Sequence, residues 1–226
     1  MKTWTCLGIA GFLLLEAINP TFGQAKFALS LNVAPIYAHT DYKAIQPFPD
    51  QPSQSPTTVV TVSSHGLNYM LGLLARYSFS PKWSVSTGIW ATHGLSGTTH
   101  FDINGIDAQI PYHYSHPLTN AYKVPVLVNY QSATDGLSPY FTIGTSLDFR
   151  GVSYIDLEGN GQEVPVKFGK SLTITPLVGI GAIYQLKSHL LIVTQPTIQY
   201  NVQSHPTYSY YHSYQLGLQM QIMHRF

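Results

Sequence analysis

Eight stretches of this sequence alternate apolar and polar residues with period two, and none carries a charged residue on its apolar face. Period two marks a β-strand with one face turned to an apolar medium. The first stretch, Phe27 to His39, sets Phe27, Leu29, Leu31, Val33 and Tyr37 on one face. The second, Gly66 to Phe79, sets Leu67, Tyr69, Leu71, Leu73, Ala75, Tyr77 and Phe79 against Asn68, Met70, Gly72, Leu74, Arg76 and Ser78. The third, Trp83 to about Leu95, sets Trp83, Val85, Ile89 and Ala91 against Ser84, Ser86, Gly88 and Thr92. The fourth, Ala121 to Gln131, sets Tyr122, Val124, Val126, Val128 and Tyr130 against Lys123, Pro125, Leu127 and Asn129.

The second half repeats the pattern. Pro139 to Gly151 sets Phe141, Ile143, Leu147 and Phe149 against Thr142, Gly144, Ser146, Asp148 and Arg150. Ser171 to Lys187 sets Leu172, Ile174, Val178, Ile180, Ala182, Tyr184 and Leu186 against Thr173, Thr175, Gly179, Gly181 and Gln185. Leu190 to Val202 and Tyr210 to Phe226 complete the set, the last with Leu216, Leu218, Met220 and Ile222 opposite Gly217, Gln219, Gln221 and Arg225. The charges within strands, Arg76, Lys123, Asp148, Arg150 and Arg225, all fall on the polar face. A charge facing mid-bilayer costs about 2–4 kcal/mol. That cost accounts for the segregation if the apolar face meets lipid.

Composition supports this reading. Charged residues make up 9% of the chain, against roughly 25% in a typical soluble domain. Aromatics reach 13%, yet mean hydropathy is only +0.03. Membrane helices would raise hydropathy far more. A net charge of +1 with 11 Lys plus Arg supplies no basic patch, so no nucleic-acid partner is expected.

Residues 1–23 have the form of a secretory signal peptide. Lys2 begins it, Leu7 to Leu15 form a short apolar run, and Thr21 and Gly23 precede a cleavage point before Gln24 or after Ala25. The run is too short to span a bilayer as a helix, which needs roughly 20 residues. Cys6 falls in this leader, so no cysteine would remain in the mature chain. Residues 24–226 are then the barrel domain. Only helices and closed barrels satisfy every backbone group in lipid, so a membrane-bound mature chain would be a barrel.

Connection lengths set the topology. Ser80-Pro81-Lys82, Ser132 to Ser138 (with Asp135-Gly136 as turn signal) and Ser188-His189 are short. Thr40 to His65, Ser96 to Asn120, Val152 to Lys170 and Gln203 to Ser209 are longer. Strict alternation of short and long connections matches an all-β, eight-stranded antiparallel up-and-down transmembrane barrel with short periplasmic turns, long outer loops and both termini periplasmic. Pro35, Pro125, Pro176 and Pro196 lie within strands and point to bulges or local irregularity there. Tyr77, Trp83, Tyr122, Tyr130, Phe141, Phe149, Tyr184, Tyr200 and Tyr214 are candidates for an aromatic girdle. The separation of Tyr122 and Tyr130 covers about 19 Å along the normal at about 3.4 Å per residue and roughly 45° tilt.

Three stretches carry a family likeness. Ser80 to Ile89 is a tight turn into a strand with Thr87-Gly88, Tyr122 to Tyr130 has Pro125 between aliphatics, and Pro139 to Gly144 is the strand that follows. Together they resemble the PorT-like outer-membrane β-barrel family over most of the mature chain. Lys123 stands where an acidic residue is common in that family. The resemblance implies residence in the outer membrane of a Gram-negative cell and, for one branch, a part in protein secretion. Phe226 resembles the C-terminal aromatic signal that the barrel-assembly machinery reads.

An eight-stranded barrel is narrow enough for side chains to fill. Trp90, Arg76, Arg150, Gln195, Gln199, Gln219, Gln221 and Met223 point inward by parity, which implies a plugged interior. A polar network of Arg76, Lys123, Asp148, Arg150, Gln219 and Arg225 is expected there, with Arg76 and Arg150 near Asp148, because buried charges need partners. His100, His113 and His116 share one outer loop and His205 and His212 flank another, but their spacing is not that of a zinc site. His93 and Ser96 are close in sequence, yet three strand positions apart place them on opposite faces. The run Tyr208 to Tyr214 suits a contact surface. The first long loop, with Pro47, Pro49, Pro52 and Pro56, is expected to be exposed and mobile and open to a partner.

The function expected is that of a non-enzymatic outer-membrane barrel, structural, adhesive or part of secretion assembly, with no cofactor and no metal. Its expected partners are outer-membrane lipids, the barrel-assembly machinery and an extracellular or envelope protein. The alternatives are a lipid-modifying hydrolase or acyltransferase, a small channel, and a soluble ligand-binding barrel with its apolar face inward.

Overall fold

Backbone hydrogen bonding closes this chain into a ring. The computed structural model describes residues 26–46, 58–103, 105–115, 121–134, 136–157, 163–166, 171–202 and 208–226. The leader with Cys6, Asp135, the four prolines of the first long loop, His116 and His205 lie outside the described residues. The strands are β1 (Phe27–Gln46), β2 (Thr58–Ser78), β3 (Trp83–Ile103), β4 (Ile106–Tyr114), β5 (Ala121–Gln131) and β6 (Leu137–Arg150). They continue with β7 (Ser153–Leu157), β8 (Glu163–Val166), β9 (Leu172–Lys187), β10 (Leu190–Tyr200) and β11 (Tyr208–Arg225).

Eight of these make the barrel, in the order β1-β2-β3-β5-β6-β9-β10-β11 and back to β1. Every pair in the ring is antiparallel. The ring strands follow one another in chain order, so the topology is up-and-down. The seam pairs Ala28 with Arg225 and Val33 with Met220, so the start of β1 and the end of β11 lie at the end with the short turns. At one of those turns Gly136 adopts φ 67°, a conformation that glycine tolerates without a Cβ clash.

The apolar faces of all eight strands turn outward. Leu31 is 58% exposed, Leu73 61% and Ile143 62%, while their neighbours Asn32, Leu74 and Thr142 are buried. The interior holds two apolar clusters. One is Ala34, Ile36, Met70, Leu74, Trp90, Leu127 and Leu177. The other, nearer the short turns, is Ala28, Tyr140, Ile183, Leu191, Val193 and Met223. Trp90 has no exposed surface.

The long connections correct the sequence expectation. β1 runs on to Gln46 and pairs with β2 back to Thr58, so much of Thr40 to His65 is strand. β3 runs to Ile103, turns at Gly105, and returns as β4. The β7–β8 hairpin adds to β4 and extends the wall further. In the extensions of β1, β2 and β3 alternation is weak because Thr40, Ser63, Ser64, His65 and Thr99 are polar on both faces. β4 does alternate, with Ile106, Ala108, Ile110, Tyr112 and Tyr114 against Asp107, Gln109 and His113, but it lies inside a connection whose length marks a loop. A period-two signal needs one apolar side.

The in-strand prolines produce local irregularity of the ladder rather than bulges. Pro35, Pro125 and Pro196 pair in register on one side, with Tyr69, Ser146 and Leu218. On the other side the ladder skips two residues and resumes in the same register. Pro176 pairs with Thr145 and lies just past the last residue paired to β10. The missing N–H therefore interrupts one seam only, and the Thr87 hydroxyl donates to the Pro125 carbonyl at 2.8 Å beside one such break. The register shifts occur at Lys43/Ala44, Leu67/Asn68 and Leu190/Leu191.

Gly72 sits beneath the Trp90 ring, and a Cβ there would meet that ring and lie 2.5 Å from the Ile89 carbonyl oxygen. Gly72→Val is expected to cost about 1–3 kcal/mol through overpacking. Urea unfolding of the detergent-folded protein, followed by tryptophan fluorescence, should show a lowered midpoint. An unchanged midpoint would mean that Trp90 has somewhere else to go.

Candidate functional site

The buried polar groups of the interior fall into three clusters rather than one network. The first centres on Lys123 and Asp148, which face each other across β5 and β6. The Lys123 ammonium lies 3.1 Å from Asp148 Oδ2 and donates to Gln199 Oε1 and Gln215 Oε1, both at 2.9 Å. Asp148 also accepts from Ser146, and from Thr175 at 3.1 Å. Arg150 stands further off, at 3.9 Å. A buried ion pair offsets its desolvation only when the remaining donors and acceptors are also satisfied. Here three acceptors surround the ammonium, and both carboxylate oxygens are engaged.

The second cluster lies deeper. Gln195 donates to Gln219 at 2.9 Å, and Asn129 donates to Ser86 at 2.8 Å. The Thr142 hydroxyl sits within reach of Gln195 Oε1 and Asn129 Oδ1. The third cluster is Arg76, which donates to Gln131 Oε1 at 3.0 Å and lies over the Tyr140 ring at 5.5 Å.

Arg76 is thus not near Asp148, contrary to the expectation from sequence. Arg76 lies two residues from the end of β2 beside a short turn, whereas Asp148 lies two residues from the far end of β6. Parity showed that both face inward but not which end of the barrel each occupies. Arg225 is half-buried at the short-turn end, where its backbone N–H donates to His189. Tyr140 and Gln131 were missed as interior groups. Both share inward parity with residues already placed there, Thr142 and Asn129, so the signal was present.

The aromatic side chains on the outer face form two bands. Tyr77, Trp83, Tyr130, Phe141 and Tyr184 lie toward the short turns, with Trp83 4.9 Å from Tyr130 and Tyr77 5.0 Å from Phe27. Tyr122, Phe149, Tyr200 and Tyr214 lie toward the far rim, where Tyr122 pairs with Phe149 and Tyr200 with Tyr214. Phe226 donates its backbone N–H to Phe27 at 3.0 Å and packs its ring on His224.

Beyond the upper aromatic band the outer wall is rich in histidine and tyrosine. The Tyr208 to Tyr214 run alternates, with Tyr210 and His212 exposed and Ser213 buried. The Tyr200 hydroxyl bonds His212 Nδ1 at 2.8 Å. Tyr112 and Tyr114 pack inside the extension over Gly94 and Gly97. Burial pushes the Tyr114 phenol upward, neighbouring Tyr112 adds to this, and the Arg150 charge opposes it. His100 and His113 lie on adjacent strands but pair with Gln109 and Ser96, four positions apart. Among the described residues no three His, Cys, Asp or Glu are disposed to hold a metal.

His93 and Ser96 share a face after all. Leu95 is the extra residue where the β2–β3 register shifts, so His93 pairs with Tyr69 and Ser96 with Leu67, both on the outward side. The His93 ring packs on Tyr69 at 4.6 Å, and its buried Nδ1 has no hydrogen-bond partner. No carboxylate orients the ring through that atom.

No family model matches the chain, and no curated protein matches it. Solved structures of similar shape include Neisserial surface protein A, at 12% identity and TM-score 0.47 over 91% of this chain and all of that one. The outer membrane protease OmpT from Escherichia coli shows 8% identity and TM-score 0.47 over 92% of this chain and 99% of its own. OprG from Pseudomonas aeruginosa shows 14% identity and TM-score 0.42, over 90% and 97%. These likenesses carry no function across to this chain.

Two outcomes follow from the geometry. Lys123→Met strands Asp148 as a buried charge and is expected to destabilise the barrel by about 3–5 kcal/mol. Adding Asp148→Asn should recover much of that loss, as measured by a double-mutant cycle in urea. Additive losses would show that the two groups act independently.

The second concerns Asp41, outside the apolar belt. Partial burial raises its carboxyl, but hydrogen bonds from Ser63 and His39 and the charges of His39 and His212 outweigh this and hold it below the ordinary 3.8. The stabilisation from this group is complete above that ordinary value and disappears as pH falls through the lower folded value. Hydrogen-exchange protection of the β1–β2 extension, corrected for the intrinsic pH dependence of amide exchange, should therefore fall at acid pH, and Asp41→Asn should abolish that fall.

Proposed function

We propose that this protein is an integral outer-membrane β-barrel that acts without enzymatic chemistry, through the contacts of its tall outer rim. The observation that carries the membrane reading is the outward belt of Leu, Val, Ile and aromatic side chains. It surrounds an interior where the polar side chains are buried. In water this arrangement would expose far more contiguous apolar surface than a soluble monomer tolerates. Short turns and both chain ends would face the periplasm, and the extension built on β1–β4, β7, β8 and β11 would face outward.

The rim supports a role in adhesion or in contact with an envelope protein. Tyr210, His212 and Tyr214 stand on one outward row, and tyrosine supplies large contact area at low entropic cost. The likeness of Ser80 to Ile89 and Tyr122 to Tyr130 to the PorT-like family supports secretion assembly as the specific setting.

A second reading is lipid modification at the outer rim, favoured by the bulge that brings Ser96 and His93 to the same outward face. An activated serine needs its base within hydrogen-bond reach and a third group orienting that base. His93 Nδ1 has no partner to serve as that orienting group.

Membrane fractionation followed by gel migration with and without boiling tests the primary reading. The expected result is a detergent-dependent, membrane-bound protein whose unboiled form migrates differently from its boiled form. Recovery in the soluble fraction without detergent would overturn it. Unaltered lipid A masses on expression are expected. A mass shift that Ser96→Ala abolishes would establish the second reading instead.

A further inference from the structure

Among the described residues, Arg76 is a buried cation without a counter-charge. It is 4% exposed, and no carboxylate of the described residues forms an ion pair with it. One terminal nitrogen donates to Gln131 and the other points to the Met223 sulfur at 3.8 Å. The Nε–H is buried and has no partner. The contact with Tyr140 and the Gln131 carbonyl carry only partial negative charge, and an uncompensated charge in a low-dielectric interior is costly.

The groups beside that free edge are hydroxyls. Arg76 pairs with Ser86 across β2 and β3, and Ser78 pairs with Ser84 one inward step nearer the turn. Ser84 has no exposed surface, and its hydroxyl has no partner. Ser86 accepts from Asn129 and keeps its own proton to donate. A guanidinium N–H and two buried serine hydroxyls thus lie at neighbouring inward positions of β2 and β3, with no acidic residue at those positions.

We propose that Arg76, Ser84 and Ser86 form a binding site for a small monatomic anion of chloride size at the narrow, short-turn end of the barrel. The contacts with Gln131 and Met223 use one N–H of each terminal nitrogen, and the Nε–H is the guanidinium nitrogen with no partner among the described residues. A single N–H with hydroxyl donors suits a spherical ion. The site lies about 7 Å inside the strand end, at two residues of strand rise, close to the rim with the short turns. The bound anion would complete the charge balance of the plug and couple its stability to halide concentration.

Crystals of the detergent-folded mature protein grown from sodium bromide test the site directly. An anomalous bromide peak is expected within hydrogen-bond distance of Arg76 Nε and the Ser84 hydroxyl. Its absence from that position would overturn the proposal. In solution, exchanging gluconate for chloride at constant ionic strength should raise the midpoint of heat-induced unfolding by about 3–6 °C when chloride is at about ten times its Kd. Arg76→Met should abolish the shift, and Ser84→Ala, which keeps the cation, should reduce it. A chloride shift of equal size in wild type and Ser84→Ala would also overturn the proposal.

Discussion

The closure of β11 onto β1 is the contact on which the rest of the structure depends. From Ala28↔Arg225 to Val33↔Met220 the last strand completes the ladder begun by the first. An eight-stranded sheet left open there would present two long edges flanked by Leu29, Leu31, Leu218 and Ile222. In hydrocarbon the unpaired backbone groups of those edges would each cost several kcal/mol. In water the same edges would be templates for aggregation. Closure removes both liabilities. It also explains why alternation persists to the end of the chain, with Met223 inward and Ile222 outward.

Closing on eight strands has a second consequence. The ring is narrow, so inward side chains meet one another across the axis. Trp90 and Tyr140 fill much of the space, and glycines such as Gly72 make room for them. The polar side chains then have to satisfy one another in a confined volume. Lys123 reaches Gln199 on β10 and Gln215 on β11, and Arg76 reaches Gln131 on β5. These contacts tie together strands that do not pair. The interior is therefore both a plug and a set of cross-braces.

Above the barrel the wall changes character. The ladder of β1 and β2 continues for several residues past the upper aromatic band, and β4, β7 and β8 broaden it. This extension buries Ala44, Val62, Tyr112 and Ile155 and carries the His39–Asp41 contact and the Tyr200–His212 bond nearer its surface.

The eight barrel strands and their inward and outward faces were legible in the residues alone. Strand alternation is a local property, and outward positions such as Leu31, Leu73, Ile143 and Ile222 follow from it. The closed ring followed from strand number and connection length. Three things were not legible. The upper half of β1 is polar on both faces and carries no period-two signal, and the alternation of β4 lies inside a stretch whose length marks a loop. The bulge at Leu95 reverses parity for Ser96 through one extra residue. The partition of the charged groups depends on strand direction and stagger, which decide that Asp148 meets Lys123 while Arg76 lies near the opposite end. Which face a side chain takes is set by its own strand. Which partner it finds inside the barrel is set by the register of neighbouring strands, and only the closed tertiary structure determines that.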